Sequence, residues 1–312
     1  MEKLKVIFMG TPEFAVPILE ELIDKYNVIL VVSQPDRAKD RKGNILPTPI
    51  KEVAIKNNIE VFQPISIKNE YNTILNKNAD IIITCAYGQI IPEIILNYPK
   101  YGCINVHGSL LPKLRGGAPI HWAIINGFKE TGITIMYMDK KMDAGDIISQ
   151  RKILIEDNDN LDTLYKKMSI LGRDLLIDTL PLIINNKVTR IKQNEDEVTF
   201  GLNIKKEEEI IDFNKSASDI NNLIRGLSSI PGAYTTLDNK RLKIYKATIL
   251  KEKRKGKVGM ITGIEKDGIV INCFDYKIKI TDIKLEGKAR CLVKDYLNGI
   301  SDKSSLIGKV LK

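Results

Sequence analysis

The sequence predicts an α/β protein of two domains: a doubly wound, mostly parallel sheet flanked by helices, followed by a smaller module of short strands. Two observations carry this prediction. Short apolar runs alternate with helix-spaced apolar residues through the first two thirds of the chain. Beyond that, the runs become shorter, strand-like and separated by turn residues. A length of 312 residues with 43% hydrophobic and 28% charged content agrees with two globular domains and excludes a disordered or disulfide-stapled chain.

Taken in order, residues 4–9 (LKVIFM) read as a strand ending at Gly10-Thr11-Pro12, and Phe14, Ile18, Leu19 and Leu22 follow at helical spacing. Residues 28–33 form a second strand, 81–84 and 103–106 two more, with a helix-like stretch at 92–96 between them. Strands at 133–138 and 147–155 precede a long helical segment, 161–186, which Pro181 is expected to bend or break. In such a sheet, binding residues collect at the carboxyl ends of strands. The chain then turns polar, and 192–197 (KQNEDE) reads as a crossing between domains. This gives a first domain over 1–189, a linker over 190–206 and a second domain over 207–312. Strand-like runs at 241–249, 259–264, 268–274 and 276–283 point to a small barrel or sandwich.

Charge is unevenly spread. Residues 1–200 hold 25 basic and 25 acidic side chains, whereas 201–312 hold 23 and 14, so the whole +9 lies in the last third. That favours a polyanionic partner for the second module, although a lysine-rich composition explains it equally well on charge alone. No stretch approaches the roughly 18 to 20 apolar residues of a membrane helix, and residues 1–5 run into a strand without a cleavage site, so a soluble, cytoplasmic protein without membrane attachment is expected. Cys85, Cys103, Cys273 and Cys291 form no C-x-x-C pair and sit beside apolar residues, which predicts buried free thiols and no metal site.

The first turn, GTPEF, lacks the second glycine of a dinucleotide fingerprint, and no phosphate-binding P-loop or nucleophile elbow is present. The segment 103–112 (CINVHGSLLP) carries the strongest signal. Residues two apart in a strand share a face, so Asn105 and His107 would point together at the strand's carboxyl end, where Gly108 opens a loop. A lone histidine is more often a satisfied core side chain than a catalyst, but the neighbouring Asn105 shifts that balance. The turn 142–146 (MDAGD) offers Asp143 or Asp146 to the same strand ends; either could equally be a turn carboxylate satisfying backbone N–H groups. An Asn, His, Asp set suits direct attack of an amine on a carbonyl, with oxyanion stabilisation and proton management by the protein. The long connection 34–49 brings Arg37, Lys39, Arg41 and Lys42 together with Asp36 and Asp40; it could straddle a phosphate backbone or be a solvated surface loop.

These blocks resemble the methionyl-tRNA formyltransferases along nearly the whole chain: FMGTPEFAVPILEEL, QPDRAKDRKGNILPTPIK, ADIIITCAYGQIIP, GCINVHGSLLPKLRGGAPIHWAI and TGITIMYMDKKMDAGDII. The third and fourth blocks and the MDAGD turn are similar to the wider folate-dependent formyltransferase group, which includes a purine-pathway enzyme and amino-sugar formyltransferases. The resemblance implies a Rossmann-like first domain and a smaller, C-terminal OB-like barrel that holds tRNA. It implies a catalytic set of Asn105, His107 and Asp143, and folate contacts at Ser109, Leu110, Leu111 and Pro112. The backbone loop that flanks the pteridine corresponds to Ala86, Tyr87, Gly88, Gln89, Ile90 and Ile91.

The implied reaction moves the formyl group of 10-formyltetrahydrofolate to the α-amine of methionine on initiator tRNA, without a metal and in a monomer. Asn105 and a ring N–H of His107 would hold the oxyanion, and Asp143 would favour the cationic imidazole and help relay a proton. In the basic loop, Arg41 matches the arginine that family members insert against the acceptor stem, with Arg37, Lys39 and Lys42 beside it; Ala38-Lys39-Asp40 stands where Pro-Ala-Gly is usual. Two alternatives compete: formyl transfer to a small amine such as an amino sugar, against which the long loop and basic third argue, and an inactive tRNA-binding relative, against which the intact catalytic set argues.

Overall fold

The computed structural model of the protein describes residues 3–39 and 42–312. The chain falls into two compact units, one formed by the residues up to Pro119 with Glu130–Leu154 and Tyr165–Leu202, the other by Ile120–Lys129, Ile155–Leu164 and Asn203–Lys312. The first unit therefore extends past the expected boundary at residue 189. Residues 190–202 are tied to it by hydrogen bonds: Ile191 exchanges two with Ile147, Arg115 N–H donates to Thr199 O, and Gly201 N–H donates to Arg115 O. A polar sequence reads as a linker, yet here the backbone of Ile191, Thr199 and Gly201 and the side chains of Gln193 and Glu195 have partners in the folded unit.

In chain order the elements up to residue 184 are β1 (Lys5–Gly10), α1 (Val16–Lys25), β2 (Asn27–Val32), β3 (Ala38–Lys39), β4 (Ile45–Leu46), α2 (Pro49–Lys56), β5 (Val61–Phe62), α3 (Asn72–Leu75), β6 (Ile81–Cys85), α4 (Glu93–Leu96), β7 (Cys103–His107), α5 (Pro119–Ile125), β8 (Glu130–Tyr137), β9 (Ile147–Leu154) and α6 (Leu161–Ile184). Pro181 lies in the last turn of α6 and the helix continues past it, so it neither breaks nor shortens the helix before Ile184.

The seven-stranded sheet has the order β5-β2-β1-β6-β7-β8-β9. Strands β5 to β7 in that order are parallel, and β8 and β9 complete it antiparallel. The chain winds from β1 outward to β2 and β5, then returns to the other side of β1 with β6 and β7. The crevice at the β1/β6 switch is where such sheets bind ligands. Central strands are buried on both faces, which explains their continuous apolar runs: Val6 to Met9 and Ile81 to Ile83 are all inaccessible to solvent. One face packs Ile7, Met9, Leu30, Val32 and Ile82 against Ile74 and Ile95. Each such side chain contributes about 1.5 to 3 kcal/mol by burial.

The second unit contains α7 (Ala217–Gly226), β10 (Ala233–Leu237), β11 (Lys240–Lys253), β12 (Ile261–Glu265), β13 (Gly268–Asn272), β14 (Tyr276–Leu285), β15 (Cys291–Leu292) and α8 (Val293–Asn298). Its antiparallel sheet has the order β10-β11-β14-β13-β12, with β15 on β14. Where an OB-like barrel is expected, the strands themselves form an open path whose two edges are both met by the chain's last residues. Ile261 N–H donates to Lys309 O and Leu311 N–H to Gly259 O at the β12 edge, while Thr236 N–H donates to Lys312 O at the β10 edge. Ile220 and Ile224 of α7 join Ile244, Ile271, Ile278 and Leu311 in its core. Cys85, Cys103 and Cys273 are buried free thiols, and Cys291 is a half-buried one.

Candidate functional site

Asn105 and His107 occupy the carboxyl end of β7, two residues apart and on one face. His107 is 5% exposed. Its Nε2 is 3.0 Å from Leu114 O. Because a carbonyl only accepts, Nε2 carries the hydrogen and Nδ1 is turned to the other side. There it stands 3.7 Å from Asp143 Oδ2. Asn105 Oδ1 accepts a hydrogen bond from Thr84 Oγ1 at 2.8 Å, and its Nδ2 faces Asp143 Oδ1 at 3.5 Å. A carboxylate cannot donate, so the amide nitrogen is the atom that faces Asp143. The structure thus brings Asn105, His107 and Asp143 together. The ring N–H that the sequence reading reserves for an oxyanion is bonded to Leu114, which leaves Asn105 Nδ2 as the donor without a short bond.

Asp143 is held from two sides. Gly116 N–H donates to its Oδ2 at 2.8 Å. Its backbone has φ of +50°, a left-handed conformation that a tight turn imposes on a non-glycine residue. A Cβ at Gly145 would come within 1.9 Å of Tyr137 O, so the turn closes only with glycine there. Gln193 Nε2 donates to both Asp143 O and Gly145 O at 2.8 Å. Asp146 makes the turn's backbone contribution, its carbonyl accepting from Tyr137 N–H.

The segment expected to touch folate is built into the first unit through its backbone. Thr134, fully buried, donates its hydroxyl to Ser109 O and accepts from Leu111 N–H, and Gln150 donates to Leu111 O. Ser109 spends its hydroxyl on Lys113 O, and Leu111 packs with Met136 and Ile147. Leu110 and Pro112 remain half-buried. In the loop after β6, Ala86 has φ of +49°, Tyr87 O accepts from Thr11 and Gln34, and Gln89 Oε1 accepts from Ile67 N–H. Ala86, Gly88 and Ile90 are exposed while Tyr87 and Ile91 are buried. The Tyr87 hydroxyl is buried with no hydrogen-bond partner. Gln89 and Ile90 also line a cavity of about 600 Å3 together with Gln34, Arg37, Ile65 and Lys68.

The connection 34–49 contains the short antiparallel pair β3 and β4. Its two ends are fastened together: Ser33 Oγ and Thr48 Oγ1 are 2.7 Å apart, and Asp36 accepts from Thr48 N–H and Gln63 Nε2 and pairs with Lys51. Partial burial opposes the charge on Asp36, but Lys51 and Gln63 outweigh it and hold the carboxyl below its ordinary range. Asp36 is therefore an anchor of the loop. Arg37 is exposed, Lys42 also lies on the described part, Lys39 is described through its backbone only, and Arg41 and Asp40 lie outside the described residues.

Sequence reasoning does not single out Thr84, Arg115 or Gln193. Arg115, only 4% exposed, directs its guanidinium to Gln193 Oε1 and to Glu195, whose carboxyl it holds below the usual range. The other histidine, His121 of α5, is not part of the site; its burial pushes its pKa down to about 4. Among the described residues no group of three or more His, Cys, Asp or Glu could hold a metal ion, and no helix is long and apolar enough to cross a membrane.

Residues 2–180 match the Formyl transferase family, and residues 203–301 match the Formyl transferase, C-terminal domain family. A methionyl-tRNA formyltransferase of Staphylococcus epidermidis is 50% identical over 309 residues, covering 98% of this chain and 99% of its own length. One from Staphylococcus aureus is 48% identical over 310 residues, covering 98% and 99%. Among solved structures, a sugar 3N-formyl transferase shares the fold with a TM-score of 0.67 at 22% identity, covering 93% of this chain and all of that one. With both domains matched and near-full-length relatives at about half identity, the chain belongs to the formyl transferase family, among the methionyl-tRNA formyltransferases.

Proposed function

We propose that the protein transfers the formyl group of 10-formyltetrahydrofolate to the α-amine of methionine esterified to initiator tRNA, with Asn105, His107 and Asp143 as its catalytic residues. The observation that carries the reading is the convergence of the Asn105 amide and the His107 imidazole on the Asp143 carboxylate at the carboxyl end of β7. Family membership supplies the substrates.

The bond that forms joins the amine nitrogen to the formyl carbon, and the bond that breaks joins that carbon to N10 of the folate. The amine loses one proton and N10 gains one, so no net proton is consumed. When bound, the folate supplies the electrophilic carbon and the leaving nitrogen. Asn105 Nδ2 donates to the charge developing on the formyl oxygen; Thr84, bonded to Asn105 Oδ1, keeps that amide nitrogen turned outward. His107 can join it by exchanging Leu114 O for the oxyanion, since a hydrogen bond to a charged acceptor is about twice as strong as one to a neutral carbonyl. Asp143 and His107 Nδ1 hold and pass on the amine's proton.

The residues present fit a folate. The partnerless Tyr87 hydroxyl and the left-handed backbone at Ala86 mark the loop expected to flank the pteridine. Exposed Ile65 and Ile90 with Arg37 and Lys68 at the neighbouring cavity suit a ligand with an aromatic body and carboxylates. The sugar 3N-formyl transferase of similar fold was solved with 5-N-formyl-THF present. Charged tRNA as a substrate supports a cytoplasmic location.

The test is incubation with methionyl initiator tRNA and 10-formyltetrahydrofolate, with detection of formylmethionine. Formylation of an amino sugar in preference to the tRNA would overturn the choice of acceptor.

A further inference from the structure

We propose that Gln193, held by Arg115, is a positioning residue that sets the catalytic carboxylate of Asp143. The inference rests on the reading of Asp143 given above. The two hydrogens of the Gln193 amide go to Asp143 O and Gly145 O, both at 2.8 Å, and so grip the tight turn on either side of Ala144. Its oxygen accepts from Arg115 Nε at 3.0 Å and Nη2 at 2.8 Å. The amide orientation admits no alternative: turned over, it would place NH2 against a guanidinium and oxygen against two carbonyls.

Arg115 acts on Asp143 by a second route. Its neighbour Gly116 donates N–H to Asp143 Oδ2, and Gly116 is fixed by the bonds of Arg115's own backbone to Thr199 and Gly201. One buried arginine thus locates both contacts that define where the carboxylate stands, one through the turn's backbone and one at the carboxylate itself. Glu195, at 2.8 Å from Arg115 Nη2, balances the charge. Asp143 has a left-handed backbone, φ +50°, a conformation uncommon for a non-glycine residue, and the turn that carries it is held by these contacts. The groups that touch the turn, the Gln193 amide and the Gly116 N–H, come from residues far from it in sequence.

Gln193→Glu separates this role from a merely structural one. The carboxylate keeps the size and the acceptors for Arg115, so the tie between residues 190–202 and the first unit persists, while both donors to the turn are lost. The expected result is a kcat lower by about a hundredfold, as for a misplacement of about 1 Å, with KM for methionyl-tRNA close to the parent. Gln193→Met, which removes all four bonds, serves if the glutamate variant does not fold.

Single-turnover rates of Gln193→Glu, Asp143→Asn and the double variant complete the test. If Gln193 works through Asp143, adding its substitution to Asp143→Asn changes the rate less than threefold. A full multiplicative loss in the double variant, or a Gln193→Glu rate within threefold of the parent while Asp143→Asn is impaired, overturns the inference. A parental rate for Asp143→Asn instead overturns the catalytic reading on which it stands.

Discussion

Nδ1 of His107 stands 3.7 Å from Oδ2 of Asp143, beyond the reach of a direct hydrogen bond. The carboxylate spends its short bond on Gly116 N–H. In this geometry the carboxylate does not lock the ring by a direct bond. Asp143→Asn retains the size and the Gly116 bond but removes the negative charge. Its kcat is expected to fall about a hundredfold or more, the usual range for a general acid-base group. Asp146→Asn, on the same turn, is expected within threefold of the parent. The reverse ranking in steady-state assays would exchange the roles of the two carboxylates.

Asn105 depends on Thr84 for its orientation, since the hydroxyl donates to Oδ1 and so turns Nδ2 toward Asp143. Asn105→Ala is expected to lose about 2.7 to 4 kcal/mol of transition-state stabilisation. Thr84→Val removes the hydroxyl and frees the amide to rotate; its loss of kcat is expected to be smaller, about tenfold, and absent on the Asn105→Ala background. An equal loss from Thr84→Val with and without Asn105 would show that the threonine acts through packing.

The central strands and α6 were legible because burial on both faces, or on one stripe, leaves long apolar runs. The two-residue strands β3, β4, β5 and β15 leave no such record. Helix α7 carried a readable signal, Ser216 capping Asp219 N–H ahead of Ile220, Leu223 and Ile224, and its interior Asn221 and Asn222 masked it. The meeting of Asn105, His107 and Asp143 could be read because each sits at a strand end or turn with its own local pattern. The contacts of Gln193 could not: its partner at the turn lies 50 residues away and Arg115 lies 78 away, and a polar run gives no sign of which polar residue will find a partner. Asp36 is similar, a charge in a basic loop whose distant partners make it an anchor.

His121 offers a pH test independent of catalysis. Burial lowers its pKa from 6.5 to about 4, and its Nδ1 has no partner. Between those values the unfolded chain binds a proton that the folded chain does not, so stability is complete above pH 6.5 and is lost as pH falls toward 4. The loss attributable to this group is of order 3 kcal/mol at most. His121→Phe is expected to flatten the dependence of the urea midpoint on pH between 6.5 and 4.5. An unchanged dependence in that variant would assign the acid sensitivity to other groups.

The two basic regions are expected to act differently toward tRNA. Lys251, Lys253, Lys255 and Lys257 are exposed around the end of β11 and its following turn, where charges can meet phosphates without altering the fold. Replacing the four with glutamine should raise the tRNA concentration needed for half-maximal rate and reduce the salt slope of binding by roughly one for each phosphate that is no longer neutralised. The rate at saturating tRNA should not change. The loop 34–49 should behave otherwise. Its ends are fastened by Asp36 to Thr48, Gln63 and Lys51, a degree of fixation that a loop serving only as a source of charge does not need. Arg41→Ala, which removes one cation, and Asp36→Ala, which removes none, are therefore expected to lower the single-turnover rate at saturating tRNA together, because both misplace the methionyl amine relative to Asn105. A loss of affinity alone in both variants would make the loop one more electrostatic element, and a normal rate for Asp36→Ala with a reduced one for Arg41→Ala would show that the arginine positions the acceptor without the anchor.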